Sequence, residues 1–209
     1  MMRDTAPALA QDPVVSVEIT GLFRGDTQIL EDVRFTLNRG DTLAITGPSG
    51  VGKTTLLRAV AGLEKKVQGR ISAACCAMVF QEPTLLPWRR ALDNVTLIAG
   101  ISKSEAREAL GEVGLADKSD LFPGQLSLGQ QRRLAFARAL ASKPDVILLD
   151  EPFVSLDADL VEEMMALFEA LRARHGFASL FVTHAEAEAA RLADRRAELS
   201  GRPATLRLL

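Results

Sequence analysis

The chain has 209 residues, 47% hydrophobic and 25% charged, with a mean hydropathy of +0.11, a composition that excludes disorder and supplies a sizeable core. Its 25 basic and 27 acidic side chains leave a formal charge of −2, and with no extended basic run and few aromatics nucleic acid is not an expected partner. The length suits one large domain, or one domain carrying an inserted lobe.

Residues 1–13 read as a flexible tail: Asp4, Pro7 and Pro13 interrupt it and it holds no apolar segment of the secretory kind. No run of 18 apolar residues follows anywhere, so the chain is expected neither to be secreted nor to cross a membrane by itself. Val15, Val17 and Ile19 alternate with polar residues as a half-buried strand does, and Val33, Phe35 and Leu37 repeat the pattern before the turn Asn38-Arg39-Gly40. This is a small antiparallel region that leads into something more buried.

Four short apolar runs come next: Leu43-Ala44-Ile45, Ala77-Met78-Val79-Phe80, Val146-Ile147-Leu148-Leu149 and Leu180-Phe181-Val182. Separated by helical stretches, they predict a parallel sheet covered by helices. The runs are followed by the Gly47 loop, by Gln81, by Asp150 with Glu151, and by Thr183-His184. In such sheets ligands lie outside the carboxyl ends of the strands, so these four endings should converge on one site. The adjacent cysteines Cys75 and Cys76 read as core filler, since no other Cys or His stands at metal-ligand spacing from them and neighbours cannot staple a fold. Between Leu85 and Ala141 the pattern turns helical. Ser102 and Glu105 form a capping box, Ala106, Ala109, Leu110 and Val113 share a face, and Gly114 ends the helix.

Gly47-Pro48-Ser49-Gly50-Val51-Gly52-Lys53-Thr54 fits the phosphate-loop pattern, entered by a strand and left by a helix whose apolar face is Leu56, Leu57, Val60 and Ala61. Its glycines let backbone N–H groups turn inward on phosphate oxygens, the helix N-terminus adds its dipole, Lys53 supplies a point charge, and the Thr54 hydroxyl can reach Mg²⁺. Asp150 emerges from a buried strand where it could hold Mg²⁺ through water, and Glu151 beside it could polarise an attacking water.

Gly47 to Thr54, Gln81, Leu126-Ser127-Leu128-Gly129-Gln130, Val146 to Glu151, Ser155-Leu156-Asp157 and His184 resemble, in order, the Walker A, Q-loop, signature, Walker B, D-loop and switch-histidine motifs of ATP-binding cassette (ABC) ATPases. The likeness runs from Ser16 to about Asp194, and Gln81-Glu82-Pro83 with Leu85-Leu86-Pro87-Trp88 is similar to bacterial importer subunits of the nitrate, sulfonate and taurine group. The resemblance implies an α/β fold: a P-loop NTPase core with a mainly parallel sheet, an N-terminal antiparallel β-subdomain and an α-helical subdomain inserted at about 85–141, all within one domain over 14–209.

It also implies an ATPase that uses ATP and Mg²⁺ and works as a head-to-tail homodimer. Such a chain would be bound peripherally to a separate transmembrane permease on the cytoplasmic side of the membrane, with a solute-binding protein in the complex. By the same resemblance the nucleotide would be held by residues 47–54 with Thr55, the metal by Thr54, Gln81 and Asp150, and hydrolysis would engage Glu151, His184 and Gln81. Ser127, Gly129, Gln130 and Asp157 would serve the partner's nucleotide across the seam, although Ser127 can equally cap the helix with Gln130 and Asp157 the helix after it.

The pattern is broken in three places. Leu128 stands where the signature has glycine, and its side chain is expected to point back toward Leu134 and the lobe core. The chain has no tyrosine, so Phe23 is the candidate for stacking on adenine. The segment 69–81 is also short, which should trim a hairpin. Competing functions are the ATPase of an exporter or lipid-extraction complex, a soluble cassette ATPase, and a P-loop GTPase, the last opposed by the lack of an Asn-Lys-x-Asp motif.

Overall fold

The computed structural model describes residues 13–209, so the expected tail lies outside the described residues except for Pro13. In chain order the elements are β1 (Val15–Arg24), β2 (Thr27–Leu30), β3 (Val33–Leu37), β4 (Thr42–Thr46), α1 (Lys53–Val60), β5 (Val67–Ala73), β6 (Cys76–Val79), α2 (Ala91–Ala99), α3 (Lys103–Glu112), α4 (Leu128–Ala141), β7 (Val146–Asp150), α5 (Ala158–His175), β8 (Ala178–Val182), α6 (Glu186–Leu192), β9 (Arg195–Gly201) and β10 (Ala204–Leu208).

Alternation in β1 and β3 buries Val15, Val17, Ile19, Val33 and Leu37 while the residues between them face outward. β1 is the hub of the antiparallel region, pairing with β3 over Val15–Ile19, with β2 over Leu22–Arg24, and with β5 along much of its length. β6, β7, β8 and β4 are all parallel, in that spatial order, and β9 joins β4 in parallel on its other side. Every residue of β4, β7 and β8 is buried, because helices cover both faces. The two faces divide as the period of two requires: Ile147, Leu149 and Phe181 meet α4 and α5, and Val146, Leu148 and Leu180 meet α1.

The sequence pattern leaves 195–208 unassigned, whereas the structure folds this segment as the hairpin β9–β10, which bridges the parallel sheet to β2 through Ala204. Only Ala197, Leu199 and Ala204 are buried there, too few to raise a periodic signal. β5 and β6 are joined by Ala74 and Cys75 alone, but they form no hairpin: β5 pairs with β1 and β6 with β7. The cysteines depart from expectation: Cys75 is exposed and Cys76 only partly buried, since β6 is the edge strand of the sheet. Burial, with Cys75 and Asp145 nearby, pushes the Cys76 thiol up to about 11.

Between β6 and β7 the chain leaves the sheet to build α2, α3 and α4. The Ser102–Glu105 capping box starts α3, whose Ala106 and Leu110 are buried with Val95 and Leu134 in a core continuous with that of the sheet. Asn94, fully buried, receives the N–H of Leu86 at 2.8 Å and donates to the carbonyls of Leu86, Arg89 and Arg90. That amide fixes the loop after Gln81 and leaves Trp88, 69% exposed, on its surface; Leu97 and Ile98 of α2 are exposed as well.

Candidate functional site

The loop between β4 and α1 needs its glycines for different reasons. Gly47 has φ +145 and a Cβ there would lie 2.3 Å from the Leu199 carbonyl oxygen, so no other residue fits against β9. Gly52, at φ +119, begins α1 without a side-chain cap, which leaves the first-turn N–H groups open toward the cleft. Lys53 is 5% exposed, and its ammonium donates to the carbonyls of Gly47 at 2.8 Å and Pro48 at 3.1 Å, with Glu151 Oε1 at 3.6 Å. The loop thus encloses a cation that is bonded mainly to its own carbonyls.

Thr54 and Asp150 come from opposite ends of the sequence motif pair and meet directly, the hydroxyl donating to Asp150 Oδ1 at 2.8 Å. Burial pushes the Asp150 carboxyl above its ordinary range, and Glu151 adds to this, while the Thr54 bond, Lys53 and Arg58 oppose it. Glu151 leaves the strand with φ +45, a left-handed backbone that non-glycine residues seldom adopt. Its carboxylate lies 3.1 Å from His184 Nδ1. Behind His184, the Thr183 hydroxyl accepts the Ala185 N–H at 3.0 Å and donates to Glu188 Oε2 at 2.6 Å, which fixes the turn that carries the imidazole. Burial raises the Glu188 carboxyl, with Glu151 adding to the rise and His184 and the Thr183 bond countering it.

These groups border a cleft of about 530 Å³, within the range of roughly 300–1,000 Å³ usual for small-molecule sites. Ser49, Gly50, Gly52, Lys53, Thr54, Thr55, Gln81 and Glu151 line it. Gly47, Pro48 and Val51 complete the loop behind, and Asp150 and His184 reach it through Thr54 and Glu151. Two lining residues carry no signal in the motif pattern: Arg24, which donates to Thr55 Oγ1 at 3.5 Å, and Ile29. Glu188 carries none either, although a Glu four residues after His184 at helical spacing is a usable hint.

The structure does not bring every candidate into this cleft. Phe23 lines a separate hollow of about 440 Å³ with Gly25, Asp26, Lys66, Val67 and Gln68. Ser127, Gly129, Gln130 and Asp157 also lie outside its lining. Ser127 and Gln130 close a reciprocal capping box at the start of α4, and Asp157 caps α5 by accepting the Leu160 N–H at 2.9 Å. Gly129 is buried, and a Cβ there would come within 2.7 Å of Leu160, so glycine lets α4 approach α5. Leu128 contradicts its expected orientation: it is 44% exposed and absent from the lobe core that buries Leu134, because the first residue of α4 projects past the end of that core.

The donor set fits a nucleotide with Mg²⁺. Among the described residues no three His, Cys, Asp or Glu cluster as a self-sufficient metal cage. A hydroxyl and one carboxylate at the foot of a phosphate cradle suit Mg²⁺, which keeps waters and takes phosphate oxygens as further ligands.

Comparison with known proteins agrees with this geometry. Residues 30–154 match the family described as ABC transporter. The chain is 45% identical over 201 residues to the aliphatic sulfonates import ATP-binding protein SsuB 1 of Frankia alni, covering 91% of this chain and 75% of that protein. It is 44% identical to SsuB 3 of Pseudomonas syringae pv. syringae over 82% of this chain and 67% of that one. Among solved structures, a dimeric ATP-binding cassette in a post-hydrolysis state with ADP and Pi superposes with a TM-score of 0.81 at 29% identity, over 93% of this chain and 97% of that one. An ABC transporter of metal-chelate type in an inward-facing conformation gives a TM-score of 0.85 at 26% identity, over 95% and 83%. The chain belongs to the ABC transporter family.

Proposed function

We propose that this chain is the ATP-hydrolysing subunit of an importer, a head-to-tail homodimer docked on the cytoplasmic side of a separate transmembrane permease, with an aliphatic sulfonate as the solute. The observation that carries the reading is the meeting of Thr54 with Asp150, and of Lys53 and His184 with Glu151, at the mouth of one glycine-built cleft. No described helix is long and apolar enough to cross a membrane, and the reading places the pore in another chain. The solute follows from the names of the relatives.

In this reading Lys53 exchanges its loop carbonyls for phosphate oxygens, a stronger charge-assisted partner. Thr54, Asp150 and Gln81 hold Mg²⁺. Bound Mg²⁺ supplies neutralisation of the charge on the transferring phosphoryl group. Glu151 accepts the proton of the attacking water, and His184 holds that carboxylate and faces the γ-phosphate. Ser127, Gly129 and Gln130 at the N-terminus of α4 meet the nucleotide of a second copy, with Asp157 at the seam. Phe23 stacks on adenine from the neighbouring hollow. The permease docks on the loop 83–88 and α2, where Trp88, Leu97 and Ile98 are each exposed.

The test is reconstitution with the permease in liposomes. Sulfonate uptake that requires internal ATP supports the reading, and ATP-driven efflux from the same vesicles points to an exporter instead. Leu86→Glu should leave the ATPase rate of the isolated chain unchanged and abolish co-purification of the permease. Retained co-purification places the interface elsewhere.

A further inference from the structure

The first turn of α1 stands between two parts of the chain. Thr54 faces the parallel sheet, where its hydroxyl meets Asp150. Thr55, the next residue and about 100° further round the helix, meets Arg24 at the end of β1, whose guanidinium donates to Oγ1 at 3.5 Å. The β1–β2 hairpin reaches this far because the loop has glycine at position 52. A Cβ there would stand 2.9 Å from Leu30 Cδ2 and 3.1 Å from Ile29 Cγ2. β2 therefore lies against the phosphate loop, and Arg24 and Ile29 line the cleft beside Thr55.

The two cations that line the cleft, Arg24 and Lys53, are held differently. Lys53 is buried and bonded to carbonyls of its own loop. Arg24 is exposed, with one long side-chain bond to a buried hydroxyl and no ion pair among the described residues. A hydroxyl is a weak partner for a guanidinium, whose fork of donors matches the oxygens of a phosphate far better. Phe23 lines the other hollow, in keeping with the opposite projection of successive strand residues, so Arg24 enters the cleft without it. Lys53, Glu151 and His184 mark the end of the cleft where the terminal phosphate reacts. A nucleotide laid from there across the N-terminus of α1, its phosphates on the loop N–H groups, brings its nucleoside-linked phosphate to the Thr55 side.

We propose that Arg24 binds the α-phosphate of the nucleotide, exchanging the Thr55 hydroxyl for a charge-assisted bond, and that it holds ADP as firmly as ATP. This rests on the reading of residues 47–54 as the phosphate cradle. The α-phosphate takes no part in the transfer, so the bond is equally strong before and during it. Arg24 then serves affinity and product retention, and leaves the chemical step alone.

The experiment compares the wild-type chain with Arg24→Gln, Arg24→Lys and Arg24→Phe in calorimetric titrations with ADP and in steady-state MgATP hydrolysis, with thermal melting alongside. Arg24→Gln should weaken ADP binding about tenfold and raise the KM for ATP by a similar factor, with kcat not lowered. Arg24→Lys keeps the charge and should recover part of the loss, whereas Arg24→Phe should recover none. The advantage of wild type over Arg24→Gln should shrink as salt is raised. Wild-type ADP affinity in Arg24→Gln overturns the inference, as does a loss that follows the unfolded fraction. Recovery in Arg24→Phe but not in Arg24→Lys also overturns it, and assigns the guanidinium plane to stacking on the base. A lowered kcat with ADP affinity unchanged overturns it in favour of a role in the reaction itself. A wild-type chain that binds no ADP, or a Lys53→Ala chain that binds it normally, removes the phosphate cradle and this inference with it. Weakened Lys53→Ala beside normal Arg24→Gln removes this inference alone.

Discussion

The phosphate loop and the signature turn are built on opposite plans, though both start a helix. Around Gly47 to Thr54 the principal site side chains find partners within the chain: Lys53 is 5% exposed and bonded to loop carbonyls, Thr54 to Asp150, and Glu151 to His184. The signature turn satisfies only its own cap, through Ser127 and Gln130, and presents Leu128 44% exposed to nothing in this chain. The first half is an open cleft at whose foot Lys53 and Asp150 are buried, and the second is an outward surface. Under the proposed function, one copy suffices to bind nucleotide, whereas using the signature requires two.

Glu151→Gln breaks the self-contained half most severely. It keeps size and hydrogen bonding but removes the proton acceptor, so turnover should fall about 10²- to 10⁴-fold while ATP binding to the monomer persists. Phosphate-release kinetics with a parallel nucleotide-binding titration measure both, and near-normal turnover removes Glu151 from the role. Lys53→Ala comes next, deleting a buried ammonium whose charge-assisted bonds are worth about 1.5–3 kcal/mol, or about 10- to 100-fold in ATP affinity. Affinity equal to wild type in calorimetry would detach Lys53 from the phosphates. Ser127→Ala, by contrast, should leave the monomer's affinity untouched, which is the comparison in its sharpest form.

Leu128 tests the outward half. Its side chain stands clear of the lobe core, on the surface that the proposed dimer turns toward the nucleotide of a second copy. Glycine there removes a Cβ and the rest of an isobutyl group from the approach. Leu128→Gly, placed in the Glu151→Gln background, should strengthen ATP-dependent dimerisation more than tenfold, about 1.4 kcal/mol, as read by sizing at several protein concentrations. A smaller change would mean that leucine lies along the seam without obstructing it.

What sequence reveals and what it withholds follow the range of the interactions. The glycines of the loop, the capping boxes at Ser102 and Ser127 and the buried parallel strands are local patterns, and all are legible in the order of the residues alone. Arg132 is different. Its partners Phe80 and Val154 lie 52 and 22 residues away, and nothing in the run Gln131-Arg132-Arg133 says which arginine turns inward. Cys75 and Cys76 read as core because their neighbours are apolar, yet at the edge of the sheet Cys75 is exposed and Cys76 only partly buried. The hairpin β9–β10 gives no signal because its role is to receive Gly47 and Leu30 from other parts of the chain, which leaves little periodicity of its own.

Asp157 carries the smallest effect and the finest discrimination between the two halves. Its carboxylate caps α5 through the Leu160 N–H, a purely internal duty that asparagine performs as well. Asp157→Ala should therefore cost about 1 kcal/mol, a fall of about 2–4 °C in Tm for a chain of this size, while Asp157→Asn should leave the Tm nearly unchanged. A seam role depends on the negative charge instead, and asparagine removes that charge while the cap survives. If Asp157 faces a second copy, Asp157→Asn should weaken ATP-dependent dimerisation about threefold at low salt, and the deficit should shrink as salt screens the wild-type charge. Dimerisation equal to wild type at low salt would make Asp157 a cap and nothing more, and would assign it to the self-contained half of the molecule.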